Sequence, residues 1–129
     1  MPALGKDPTV GRTAALALLH GLVYWLLCES SDAFSPGLGV ASPVWFADGY
    51  ALAVFLSSTG QTRVSILAGV VLGNVLFIGG MALTLHGALG TAANVLQTWL
   101  AGAVIDHLKS TPLQSSPIKR TMAFILVAL

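Results

Sequence analysis

Asp48 is the one acid in a run that otherwise suits lipid, SPVWFADGYALAVFLSS from Ser42 to Ser58, which contains no base. Asn74, Asn94 and Gln97 are amides inside two further apolar runs, and His20 is an imidazole inside the first. Polar groups in such segments are expensive, so they face a bundle interior and mark where protons, solutes or signals are handled. A carboxyl group among amides can bind and pass hydrogen bonds. It cannot by itself do hydrolysis or group transfer. No nucleophile–base pair, paired carboxylates or glycine-rich phosphate loop occurs, so no catalytic residue is assigned and no enzyme is expected. His20 and His86 lack companions at metal-ligand spacing, and Cys28 is the sole cysteine. Neither a metal, a cofactor nor an internal disulfide is therefore expected.

Composition says where these groups sit. Of 129 residues, 55% are hydrophobic and 9% charged, with mean hydropathy +0.83. A soluble domain carries about 25% charged residues, so the deficit of charge points to a membrane protein with the lipid bilayer as its first partner. A formal net charge of +1, with no basic cluster interleaved with aromatics, excludes a nucleic-acid partner.

The elements that must position the polar groups are apolar runs at about 12–28, 43–58, 64–78 and 83–105, with the start of a fifth at 121–129. Their apolarity is continuous, so helices are expected and a barrel is not. The fold class is all-α: a polytopic transmembrane bundle of four complete helices plus part of a fifth. Residues 1–11 read as a short cytoplasmic N-terminus and 12–129 as one domain. A spanning helix needs about 20 residues, so several runs borrow from their flanks and the fifth reads as cut short. Lys6 and Arg12 ahead of the first run imitate a signal peptide. Leu27 before Cys28 is too large for a lipoprotein cleavage site, and Pro36 spoils a cut after Ser35, so the first helix is expected to be retained.

Alternating loops place all six bases, Lys6, Arg12, Arg63, Lys109, Lys119 and Arg120, on one side. The opposite loops hold Glu29 and Asp32, then the uncharged IGGMALTL. This asymmetry predicts a cytoplasmic N-terminus in a bacterial inner membrane. Tyr24, Trp25, Trp45, Phe46 and Tyr50 are expected at the outer interface, with Trp25 and Trp45 as its anchors; Tyr50 fits a core position equally.

With a rise of about 1.5 Å per residue, Asp48 lies about 22 Å and Asn74 about 16 Å from Arg63, and Asn94 about 18 Å from Asp106. His20 is shallower, about 12 Å from Arg12. Three polar side chains on three helices thus share one depth. Two readings of Asp48 stand: a buried, neutral carboxyl bonded to Asn74 or Asn94, or an acid near the outer interface that reaches water. His20 and Tyr24 share a helix face, which suggests a structural hydrogen bond.

Two stripes suggest packing. His86, Gly90, Asn94, Gln97 and Ala101 recur every three or four residues along the fourth run. In the third, GVVLG sets Gly69 and Gly73 four apart, with Ser65 extending the row; small residues there let helix backbones approach.

The order of segments resembles the bacterial membrane-associated sensor domain family of the first type. The resemblance rests on PVWFADGYALAVFL, ILAGVVLGNVLF, ALGTAANVLQTWLAGAVIDHL and PIKRTMAFIL, which together span Pro43 to Leu129. By position, Trp45 and Gly49 match the family's first motif, Gly73 and Asn74 its second, and Asn94, Leu96 and Gln97 its third. Ala47 and Asp48 stand where the family tends to have Pro and a small residue, and Gln97 where an acid is often seen. The resemblance implies a sensory input domain, here truncated to about half. Its implied partners are the missing C-terminal helices and a cytoplasmic kinase or diguanylate cyclase module, and a homodimer is among the expected assemblies. Asp48, Asn74, Asn94 and Gln97 are then the signal-sensing candidates, and Gly49, Gly69, Gly73 and Gly90 the packing positions. Two other readings compete: a small transporter with a polar path lined by Asp48 and Asn94, and a subunit that packs on another protein through Gly69 and Gly73.

Overall fold

The computed structural model describes residues 8–34, 46–79 and 83–110. They form four helices: α1 (Pro8–Ala33), α2 (Phe46–Ser57), α3 (Gln61–Ile78) and α4 (Leu85–Ser110). The fifth run at 121–129 and Trp45 lie outside the described residues.

Hydroxyl chemistry extends α1 beyond its apolar run at both ends. Pro8 opens it, where a missing N–H costs nothing. Thr13 Oγ1 then donates to the Thr9 carbonyl at 2.9 Å, and the Ser30 and Ser31 hydroxyls to the Leu26 and Leu27 carbonyls at 2.8 and 2.9 Å. These polar residues satisfy themselves on the helix, so it continues to Ala33 and does not stop at the expected Cys28. Gly60 takes φ +54°, a backbone conformation that side chains resist, and turns the chain straight into α3. The first turn of α3 is therefore Gln61–Arg63, ahead of the expected Val64. At α4, Thr84 Oγ1 accepts the Gly87 N–H at 3.1 Å as an N-cap. That helix outruns its expected end at Ile105 and reaches Ser110.

Thr9–Ala33, Gln61–Ile78 and Leu85–His107 are long and apolar enough to cross a membrane. The second helix, Phe46–Ser57, is a shorter apolar one, so three of the four expected spans are seen among the described residues. Its 12 described residues extend about 18 Å against a hydrocarbon core of about 30 Å. Arg63 Nε helps close that helix, donating to the Phe55 and Ser58 carbonyls at 3.2 and 2.8 Å.

Contacts give the topology. Ala17 and Tyr24 meet Gly69 and Gly73 in the same order, so α1 and α3 run parallel. Tyr24–Asp48 and Ser31–Phe46 pair α1 with α2 antiparallel, while Asn74–Asn94 and Arg63–Asp106 do the same for α3 and α4. The result is an up-down-up-down bundle. Its tightest contact is α1 on α3, where the carbonyl of Gly21 and the side chain of Tyr24 fill the space beside Gly73. Tyr24, Cys28, Ala47, Ala51 and Val70 form the core cluster.

Candidate functional site

The centre of the bundle holds a hydrogen-bonded path that takes one side chain from each helix. Asn74, 4% exposed on α3, donates from Nδ2 to the Val70 carbonyl one turn back, at 3.0 Å. Its Oδ1 accepts from Asn94 Nδ2 of α4 at 3.0 Å. The same Asn94 nitrogen donates at 3.3 Å to the hydroxyl of Tyr24 on α1. That hydroxyl donates in turn to Asp48 Oδ1 on α2, at 2.8 Å. The direction of donation runs from Asn94 through Tyr24 to Asp48, so the acid is the terminal acceptor of the path.

Each partner has a structural reason to be there. The Asn94 carbonyl accepts from Thr98 Oγ1 at 3.0 Å, one turn further along α4. Asp48 lies in the first turn of α2, where unpaired backbone N–H groups favour a carboxylate. Phe46, which opens α2, donates its N–H to Ser31 Oγ at 3.0 Å, so the end of α1 supplies the cap that holds Asp48 at its level. Tyr24 is 1% exposed, and glycine at position 73 makes room for its ring. One turn away, His20 Nδ1 and the Tyr50 hydroxyl lie 2.7 Å apart, which adds a second polar bridge between α1 and α2.

The expected meeting of Asp48, Asn74 and Asn94 is thus realised, with a change of partner. Asp48 reaches Asn94 through Tyr24. Tyr24, expected among the aromatics of the outer interface, is buried in the core cluster. A signal was present, since Tyr24 lies about 18 Å from Arg12 by helical rise, the depth of the three other polar residues. His20, expected to face Tyr24, pairs instead with Tyr50. Asp48 is half-buried, intermediate between the two readings of it.

The other candidates separate. Gly69 and Gly73 do pack: a Cβ on Gly69 would lie 2.6 Å from the His20 Cβ and 3.0 Å from the Gly21 nitrogen. That face is covered by α1, so the chain itself occupies the surface that the subunit reading gave to another protein. Gly49 and Gly90 are exposed, and a Cβ at either would meet nothing within 4 Å. Gln97 is exposed too. Trp25 Nε1 donates to Glu29 Oε1 at 3.0 Å. Among the described residues, no group of three His, Cys, Asp or Glu side chains is placed to hold a metal.

A second polar centre closes the opposite end of the bundle. Arg63 Nη1 binds Asp106 Oδ2 at 2.5 Å, its guanidinium stands 4.7 Å over the Phe55 ring, and its Nε serves the α2 carbonyls described above. One side chain therefore ties the ends of α2, α3 and α4. The pair is partly exposed, 25% and 37%, so its worth is modest. Arg63→Lys keeps the charge but loses the planar fork, and the expected cost is about 1 kcal/mol in reversible unfolding from mixed detergent micelles. A lysine variant as stable as the parent would show that charge alone suffices.

Comparison with protein families, with curated proteins and with solved structures finds no match to this chain. The site is therefore read from its own geometry.

Proposed function

We propose that this chain is a signal-input module of a bacterial inner membrane, multi-pass with a cytoplasmic N-terminus, acting with further helices and a cytoplasmic kinase or diguanylate cyclase module. The observation that carries this reading is the path Asn74–Asn94–Tyr24–Asp48, which draws one polar side chain from every described helix. Asparagine and tyrosine both donate and accept, and a carboxyl group gains or loses a proton, so such a path has more than one bonding arrangement. Each arrangement prefers its own setting of the four helices. A stimulus that favours one of them shifts the population of packings, and an output module at the cytoplasmic end reads the shift. Arg12, Arg63 and Lys109 lie on α1, α3 and α4 at the end of the bundle closed by Asp106, which supports the orientation.

The test joins a diguanylate cyclase module, through the further helices the reading assumes, downstream of Leu129 and measures cyclic dinucleotide formed in membranes. Asp48→Asn and Asn94→Ala should each change output about fivefold or more, the scale of an allosteric coupling. Output indifferent to both substitutions would leave the polar path without a signalling role. Proton or solute flux in reconstituted vesicles, lost on Asp48→Asn, would assign the same residues to transport instead.

A further inference from the structure

The two polar centres lie at the two ends of one contact between α2 and α4. Along α4, Asn94, Thr98, Gly102 and Asp106 recur every four residues and form one ridge. Thr98 and Gly102, in its middle, are buried. Asn94 belongs to the path through Tyr24 to Asp48, and Asp106 to the ion pair with Arg63. Along α2, Asp48, Ala51 and Phe55 share one face at spacings of three and four. The two helices run parallel. By helical rise Asp48 and Phe55 are about 10.5 Å apart and Asn94 and Gly102 about 12 Å, so the two rows keep step.

Phe55 makes the second contact. Its ring, 3% exposed, occupies the space that a missing Cβ leaves at Gly102, where a Cβ would lie 2.5 Å from the ring Cδ1. The Arg63 guanidinium covers the same ring, and Arg63 Nε holds the Phe55 carbonyl at 3.2 Å. Ring, seat and ion pair are therefore one unit. Both ends of α2 are held by side chains from other helices, Ser31 at its start and Arg63 at its end. A hydrogen-bonded helix of about three turns moves as one body, so Asp48 cannot shift without moving Phe55. Helix α4 has room to respond. An open groove of about 730 Å³, with Val71, Val75, Val95 and Trp99 in its walls, separates its middle from α3. By contrast, α1 and α3 meet backbone to backbone at Gly21, Gly69 and Gly73.

We propose that α2 is a rigid coupling rod and that Phe55, seated at Gly102 under Arg63, is its latch. On the signal-input reading of the polar path, on which this inference rests, a change of bonding at Asp48 displaces α2. Phe55 then leaves its seat, the Arg63–Asp106 pair opens, and the end of α4 is released from the fixed pair of α1 and α3.

The experiment measures the distance between nitroxide labels at Thr59→Cys and Ala103→Cys, both exposed positions, in the full chain in lipid nanodiscs with no output module attached. Cys28 is fully buried and stays in place. Tyr24→Phe alters neither α2 nor α4, yet it should shift that distance by about 1–2 Å or more, the scale of helix shifts in switching proteins. Phe55→Leu, which empties the seat, should shift it as well, and Tyr24→Phe should then add nothing. Gly102→Ala, which fills the seat from the α4 side, should reproduce the Phe55→Leu result. A distance unmoved by Tyr24→Phe, or moved equally with and without Phe55, would overturn the proposal. A distance that follows Tyr24 through Phe55, beside a fused cyclase indifferent to Asp48→Asn and Asn94→Ala, would uphold the latch and remove the signalling role.

Discussion

Gly73→Val should lower the stability of this bundle by about 3 kcal/mol or more. A Cβ at that position would sit 2.7 Å from the Tyr24 Cδ1, 2.8 Å from the Gly21 carbonyl oxygen and 2.9 Å from the Tyr24 Cβ. The tyrosine ring can rotate, but a carbonyl oxygen and a Cβ move only with their helix. To admit valine, α1 and α3 must separate along their tightest contact. Overpacking of this kind costs about 1–3 kcal/mol and occasionally more, and backbone neighbours place this site at or above the top of that range. Damage does not stop at packing. Shifting α1 also draws the Tyr24 hydroxyl away from Asp48 and Asn94, so the polar path breaks with the contact. Unfolding in detergent mixtures, followed by circular dichroism, reads the loss directly. Gly49→Ala is the matched control: open space surrounds Gly49, and alanine is the better helix former by about 1 kcal/mol, so its midpoint should hold or rise. A Gly73→Val variant as stable as the parent would mean that α1 and α3 do not meet here.

Tyr24→Phe should produce the second large effect, through the loss of a single oxygen. The ring remains to fill its buried site, so no cavity complicates the reading. What disappears is the donor to Asp48 Oδ1 and the acceptor for Asn94 Nδ2. Interhelical hydrogen bonds in membranes are worth about 0.6 kcal/mol on average and about 1.7 at most, so two lost bonds predict about 1–3 kcal/mol. Loss of the Tyr24 donor to the half-buried Asp48 carboxyl sets the upper part of that range. Tyr50→Phe removes only the contact with His20 in a half-buried place, and its cost should be under about 1 kcal/mol. A double-mutant cycle supplies the sharper reading. Tyr24→Phe and Asn94→Ala share a bond, so together they should cost less than the sum of their separate effects. Strict additivity would show that the 3.3 Å approach of Asn94 to Tyr24 carries no energy.

These two residues also show why a membrane bundle yields only part of itself to a reader of its sequence. Helix positions follow from runs of apolar residues, and three of the four described helices are long enough to cross a membrane. Depth follows as well, because residues advance about 1.5 Å along any helix, and counting inward from Arg63 and Asp106 brings Asp48, Asn74 and Asn94 to one level. Glycines four apart at 69 and 73 marked a close approach, and the structure supplies α1 as the partner. The ends of helices were harder to read. Hydroxyls that bond back to carbonyls carried α1 past its apolar run, and the turn at Gly60 shortened the loop before α3.

Rotation about each helix axis is a different matter. In a soluble protein the polar face of a helix points to water and fixes its phase. Lipid is as apolar as a bundle core, so that contrast is missing here. Asn94 and Gln97 therefore read as members of one stripe, three residues apart, and packing distinguishes them: Asn94 bonds to Asn74 and Tyr24, and Gln97 is exposed. Tyr24, assigned to the interface for its amphipathic ring, was drawn to the core because Gly73 leaves room for it. Apolar composition and charge placement, both readable along the chain, determined the helices and the depth of their polar groups. Which of those groups meet was decided only when α1 settled against α3, because neither solvent nor hydropathy distinguishes one side of such a helix from the other.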